Sequence, residues 1–283
     1  MARIQVFSLA KQIAAVPFHF VRHQWSRKAI SKAEKHSFGP HPRQYLMFWM
    51  PPSGAPEQHS VVVFYHGGGW RLGWPDQFPT VAEWFLRRGF PVVMPAYRLS
   101  PRFAYPAMRE DLNLALEKLL TLMEINGLGQ KKLLSAGMSA GATLAAHLAF
   151  NRLELANFSM SPKDFSGFLS FGGPLDLNEL PNLPPLRRYA GGPPGSEAFR
   201  VANPITWLSE SAQLPILLVH GTEDAIVPLS SSESFYEKYA GPKSLHLIPG
   251  GSHLDSLAFA LNDQATAEVV EQWLGELSQS SNQ

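Results

Sequence analysis

The chain of 283 residues contains no cysteine. Disulfides, thiolate nucleophiles and cysteine-ligated metals are therefore excluded. It also lacks an excess of charge: 24 Lys and Arg stand against 23 Asp and Glu, a formal net charge of +1. So balanced a chain has no electrostatic footprint for nucleic acid, and no nucleic-acid partner is expected. No segment is long and apolar enough to span a bilayer, so no stable membrane insertion is expected. No histidine pair lies beside acids at metal-ligand spacing, as in His-Glu-x-x-His, and no metal is expected. Internal repeats and low-complexity tracts are missing too. What is present is a hydrophobic fraction of 45%, ample for one large core. Residues 1–283 read as a single domain.

From Tyr45 onward, short apolar β-branched runs alternate with helical periodicity. Strands are predicted at Gln44–Met50, Val61–Tyr65, Pro91–Met94, Lys132–Ala136, Gly167–Phe171, Pro215–His220 and Ser244–Ile248. Helices are predicted at Gln77–Arg88, Met108–Asn126, Ala140–Asn151, Ser230–Tyr239 and Leu254–Glu276. This alternation predicts an α/β fold, a mostly parallel sheet flanked by helices. The Pro- and Gly-rich stretch 174–204 interrupts it and reads as an insertion walling the substrate pocket.

Three motifs carry chemistry. Gly137-Met138-Ser139-Ala140-Gly141 lies between a predicted strand and a predicted helix. That is the context of a nucleophile elbow, whose tight turn demands small residues on either side of the serine. An ordinary turn with a capping serine is the bland alternative. His66-Gly67-Gly68-Gly69-Trp70 follows another buried strand. Its glycines leave backbone N–H groups unshielded, as the oxyanion of acyl transfer requires. Gly67, Gly68 and Ala140 are the candidate donors. A phosphate cradle lacks its Gly-Lys-Ser/Thr or spaced Gly-x-Gly-x-x-Gly.

The third motif supplies acid and base. Asp224 follows the strand ending at His220, and His253 lies on the Gly-rich loop after the last strand. The order Ser139, Asp224, His253 is nucleophile, acid, base, unlike the chymotrypsin or subtilisin orders. For the acid, Asp224 is favoured over the adjacent Glu223, and both over Asp176; Asp255 is too near His253 in sequence. Among the ten histidines, His66 reads as a partner of the glycine-loop backbone. His147 and His220 read as structural.

With these residues in place, the chain resembles the hormone-sensitive-lipase-like family of α/β-hydrolase-fold esterases. The match runs through His66–Trp70, Tyr97-Arg98-Leu99-Ser100-Pro101, Tyr105-Pro106-Ala107 with Glu110-Asp111, the Ser139 elbow, and the Asp224 and His253 loops. The chain departs from the family pattern at Met138, Ala96 and Arg102, where acidic residues are usual. The resemblance implies hydrolysis of a small-molecule carboxylic ester through an acyl-enzyme, without cofactor. The aromatics Trp70, Tyr97 and Tyr105 are expected to bind substrate, core packing being the alternative. The stretch from Tyr189-Ala190-Gly191-Gly192 to Ala202-Asn203-Pro204 is also similar to arylformamidases and other small-amide hydrolases. A non-catalytic binding protein on this scaffold is a more distant alternative. A homo-oligomer is left open.

Residues 1–43 are expected to form an N-terminal helical segment, part of a small cap. Val6, Leu9, Ile13 and Val16 share one helical face. Arg22, Arg27, Lys28 and Lys32 would suit a membrane-surface role, the alternative to a cap. The apolar run is too short for a secretory signal and no small-residue cleavage pattern follows; a cytoplasmic location is expected.

Overall fold

The computed structural model describes residues 9–12, 14–15, 33–209, 213–261 and 263–280. Among the described residues, eight strands form one sheet in the order β1-β2-β4-β3-β5-β6-β7-β8. They are β1 (Glu34–Ser37), β2 (Tyr45–Trp49), β3 (Ser60–Tyr65), β4 (Val92–Pro95), β5 (Lys132–Met138), β6 (Phe165–Phe171), β7 (Ile216–Gly221) and β8 (Lys243–Ile248). β2 runs antiparallel to both its neighbours, and all other pairings are parallel. Packed on it are the longer helices of the described residues: α1 (Pro79–Leu86), α2 (Tyr105–Ile125), α3 (Ala140–Phe150), α4 (Leu229–Lys238) and α5 (Gln264–Ser280).

The alternating directions of strand side chains divide the core in two. Val61, Val63 and Tyr65 of β3 face one layer, with Met108, Leu112 and Leu116 of α2 and Leu144 and Leu148 of α3. Val62 and Phe64 face the other, with Val81 and Phe85 of α1 and Val270 and Trp273 of α5. Both sides of β3 are therefore buried, which is why it reads as an unbroken apolar run. Every residue of α3 is buried as well, as expected of a helix that is apolar on nearly every side; its two polar side chains, Thr143 and His147, bond to the carbonyls of Pro174 and Ala202.

Two sequence expectations are corrected. The N-terminal segment 1–43 is not helical throughout: β1 occupies Glu34–Ser37, paired with β2 from Glu34 opposite Phe48 to Ser37 opposite Tyr45. Residues 9–12, 14 and 15 are helical; Val6, Ile13, Val16 and the basic residues Arg22, Arg27, Lys28 and Lys32 lie outside the described residues. The predicted helix Leu254–Glu276 is two elements, a 3₁₀ segment Leu254–Ala260 and then α5. Asp263 causes the restart: its carboxylate accepts from the Thr266 N–H at 3.4 Å, capping the new helix. Within 174–204 lie two short helices, Pro184–Ala190 and Glu197–Ala202.

Candidate active site

β5 ends at Met138 and α3 begins at Ala140, leaving Ser139 alone in the turn. Its φ of 52° and ψ of −129° are costly for a residue with a side chain, on the order of 1–3 kcal/mol. The flanking glycines are required by close backbone approach. A Cβ on Gly137 would lie 2.5 Å from the Gly141 carbonyl, and one on Gly141 would lie 2.1 Å from the Tyr65 oxygen. The end of β3 thus presses directly on the start of α3. The Ser139 N–H donates to the Phe171 oxygen at 2.8 Å, fixing the turn to the end of β6. As the first residue of α3, Ala140 has no intrahelical acceptor for its N–H.

The glycine loop meets this turn. A Cβ on Gly67 would sit 3.4 Å from the Ser139 Cβ, so Gly67 lies against the nucleophile candidate. Gly68 has φ 127°, open to glycine alone. Its shape is held by a buried scaffold. The His66 ring is fully buried, stacked on Tyr97 with centroids 4.3 Å apart. Its Nδ1 lies 2.8 Å from the Gly67 oxygen. Arg43 Nη2 is 3.4 Å from Nε2; Arg43 also donates to the carbonyls of Tyr97 at 2.7 Å and Gly73 at 2.5 Å. The Tyr97 hydroxyl donates to the His66 oxygen at 2.8 Å. An arginine donor at Nε2 makes that nitrogen the acceptor and leaves Nδ1–H for Gly67. Burial, aided by the Arg43 charge and opposed by the Gly67 bond, pushes the His66 pKa down to about 3, so the ring is neutral.

The aromatics expected to touch substrate are placed in the core instead. Tyr97 is 0% and Tyr105 1% exposed, and Trp70 only 5%. Trp70 stacks on Tyr189 at 4.1 Å, and Tyr105 packs on His147 at 4.3 Å. Large rings gain most by complete burial, and Tyr97 serves the glycine loop rather than a pocket.

β7 delivers Asp224 and β8 delivers His253. The Asp224 side chain has no exposed surface. Its Oδ1 accepts from the N–H groups of Ile226 and Val227, both at 2.9 Å. Its Oδ2 lies 2.7 Å from His253 Nδ1 and 3.3 Å from His220 Nε2. Burial works to raise this carboxyl, but its electrostatic pairing with the His253 ring and the hydrogen bonds from His220 and His253 outweigh it and hold the pKa well below the usual range. With Nδ1–H committed to Asp224, the His253 Nε2 is free to accept a proton. The ring fits against Gly172, where a Cβ would stand 3.3 Å from Nδ1. Gly172 adjoins Phe171, the acceptor of the Ser139 N–H, so Ser139 and His253 approach the end of β6 together.

Two of the rival acids, Asp176 and Asp255, are occupied elsewhere. The Asp176 carboxylate accepts from Asn178, Asn203 and Ser234, and Asp255 accepts from Ser252 N and Oγ, both at 2.7 Å. Sequence reasoning missed three contributors. His220 touches Asp224 as well as Val227 and Ser232; the signal was its position four residues before the acid. Arg43 and Gln12 act across long sequence separations, and no local pattern marks them.

Serine, aspartate and histidine in this order, at the C-terminal ends of parallel strands, together with the sheet order, define the α/β-hydrolase fold class. Residues 47–239 match the BD-FAE family, and the chain belongs to that family, one of the hormone-sensitive-lipase-like α/β-hydrolase esterases. Esterase LipQ of Mycobacterium tuberculosis is 25% identical over 271 residues, covering 88% of this chain and 63% of that protein. Ethyl acetate hydrolase of Pseudomonas putida is 33% identical over 121 residues, 42% of this chain and 37% of that protein. Esterase B from Lactobacillus Rhamnosis superposes with a TM-score of 0.75 at 18% identity, over 100% of this chain and 98% of that one. Thermogutta terrifontis esterase 2 phosphonylated by sarin superposes at 0.72 with 24% identity, over 88% and 96%. The chain spans less than two thirds of the length of two of these relatives, 63% of LipQ and 65% of esterase LipC of Mycobacterium tuberculosis. Among the described residues no helix is long and apolar enough to cross a membrane, and no group of three or more His, Asp and Glu could hold a metal ion.

Proposed function

We propose that the protein is a serine carboxylesterase that cleaves short-chain carboxylic esters through an acyl-enzyme. The observation that carries this reading is the 2.7 Å His253–Asp224 bond beside a strained serine turn and the glycine loop. In the reaction, Ser139 Oγ attacks the ester carbonyl while His253 Nε2 takes its proton. Asp224 holds the tautomer and stabilises the imidazolium. The N–H groups of Gly67, Gly68 and Ala140 receive the oxyanion. His253 then protonates the leaving alcohol, and in the second half activates water to release the acid.

Short acyl chains are supported by the relatives. One is named an ethyl acetate hydrolase, and Thermogutta terrifontis Est2 has been solved with propionate and butyrate bound. The 174–204 insertion leans on the glycine loop through Tyr189 and Trp70, consistent with a wall around a small pocket. Fluorophosphonate labelling of wild type and Ser139→Ala, followed by kcat/KM for nitrophenyl esters from acetate to palmitate, tests both parts. Labelling that survives Ser139→Ala refutes the nucleophile. A rise in kcat/KM through the longest chains refutes the short-chain preference. Turnover of N-formylkynurenine above that of all esters would assign an arylformamidase instead.

A further inference from the structure

The helical residues 9–12 bring Gln12 onto the acid and base loops, more than 200 residues away in sequence. Its side chain is 9% exposed. The amide oxygen accepts from two backbone N–H groups, Ala225 at 3.1 Å and His253 at 3.2 Å. The amide nitrogen donates to the Glu223 oxygen at 2.8 Å. One side chain therefore grips the residues on both sides of Asp224 and the backbone of His253 itself. We propose that Gln12 is a positioning residue: it ties the Asp224 loop to the His253 loop and so sets the aim of the imidazole at Ser139.

This inference rests on the Ser139–His253–Asp224 reading above. Its physical content is the pairing of polar groups. The Ala225 and His253 N–H groups sit on loops with no regular secondary structure at those positions, so the ladder does not hold them. Without the glutamine oxygen they must turn to other acceptors, and the loop backbones shift with them. A misplacement of about 1 Å at the base costs on the order of 10²-fold in turnover while leaving substrate binding nearly intact.

The experiment uses the full chain and three variants. Gln12→Met keeps the volume and removes both polar functions. Gln12→Glu keeps an acceptor for the two N–H groups and loses the donor. Gln12→Ala removes the side chain. Active sites are titrated with a fluorophosphonate so that kcat refers to folded molecules only. The expected result is kcat for a nitrophenyl acetate lowered roughly 10- to 100-fold in Gln12→Met and Gln12→Ala, with KM changed less than about twofold. Gln12→Glu should fall between wild type and Gln12→Met. The downfield proton resonance of His253 Nδ1–H should shift or broaden in Gln12→Met. A Gln12→Met protein with wild-type titrated kcat and an unshifted resonance overturns the role, even if its Tm is lowered. Should Gln12→Met fail to fold, Gln12→Glu decides by the same two readouts. Ser139→Ala is run alongside. If it retains turnover, the hydrolase reading falls and this inference with it; if it is dead while the Gln12 variants are unimpaired, only the Gln12 role falls.

Discussion

Replacing Asp224 by asparagine removes a charge and almost no volume, yet the structure makes it a severe change. The two carboxylate oxygens have different partners. Oδ1 takes two N–H donors, from Ile226 and Val227, and Oδ2 faces His253 Nδ1 and His220 Nε2. His220 Nε2 also lies 3.0 Å from the Val227 carbonyl, so it carries a hydrogen. An asparagine has two ways to sit. With its NH₂ toward Ile226 and Val227, two buried N–H groups lose their acceptor, at about 1–3 kcal/mol each. With its NH₂ toward the histidines, it loses only the longer His220 contact, and His253 can adapt by changing tautomer. The second arrangement wins. His253 Nδ1 then accepts, Nε2 carries the hydrogen, and no base faces Ser139. The expected loss is on the order of 10⁴-fold in kcat, or ~5.4 kcal/mol of barrier at about 1.36 kcal/mol per tenfold. Titrated steady-state turnover of nitrophenyl acetate at pH 7 to 8 measures it, and nitrogen NMR of the imidazole reports the tautomer. A well-folded Asp224→Asn protein turning over within tenfold of wild type would refute the argument, as would an unchanged Nδ1–H tautomer.

Other perturbations reach the supporting structure. Gly141→Ala forces a Cβ to within 2.1 Å of the Tyr65 oxygen; the elbow must shift, and fluorophosphonate labelling should slow at least ~10-fold, with Tm lowered in thermal melts. Arg43→Ala frees the Tyr97 and Gly73 carbonyls and should lower kcat by roughly 10-fold through a looser oxyanion loop, an idea that unchanged kcat would defeat. His147 is buried, and its pKa is pushed down to about 3 by that burial, against about 6.5 unfolded. Between these values the unfolded chain binds more protons, so stability falls as pH falls through that window. Urea unfolding from pH 4 to 7 should show His147→Phe with a flatter slope, by up to about 1.4 kcal/mol per pH unit.

What the sequence discloses, and what it hides, divides by range of interaction. The central strands are legible because both faces are buried: Val61–Tyr65 reads as apolar without interruption and is 0–1% exposed. The elbow is legible because its constraint is local, two glycines imposed by one tight turn. β1 is not legible. Glu34-Lys35-His36-Ser37 has no apolar alternation, and its conformation comes from the ladder that β2 offers it. Trp70, Tyr97 and Tyr105 were legible as aromatics near the site but not as buried ones, since composition does not say which neighbour covers a ring.

The same division runs through the candidate site itself. Ser139, Asp224 and His253 stand in motifs, because each must leave a strand end at a fixed point. The groups that aim them do not. Arg43 reaches the glycine loop from before β2, and Gln12 reaches the acid loop from a helix more than 200 residues upstream. Arg43 donates to the Tyr97 and Gly73 carbonyls, and Gln12 accepts from the Ala225 and His253 N–H groups; proline's missing N–H apart, every residue type supplies such groups. A contact to backbone places no demand on the partner's side chain, so nothing in the partner's sequence betrays it. The chemistry is therefore written in short motifs, and the geometry that makes the chemistry possible is held by single polar residues that only the fold brings into view.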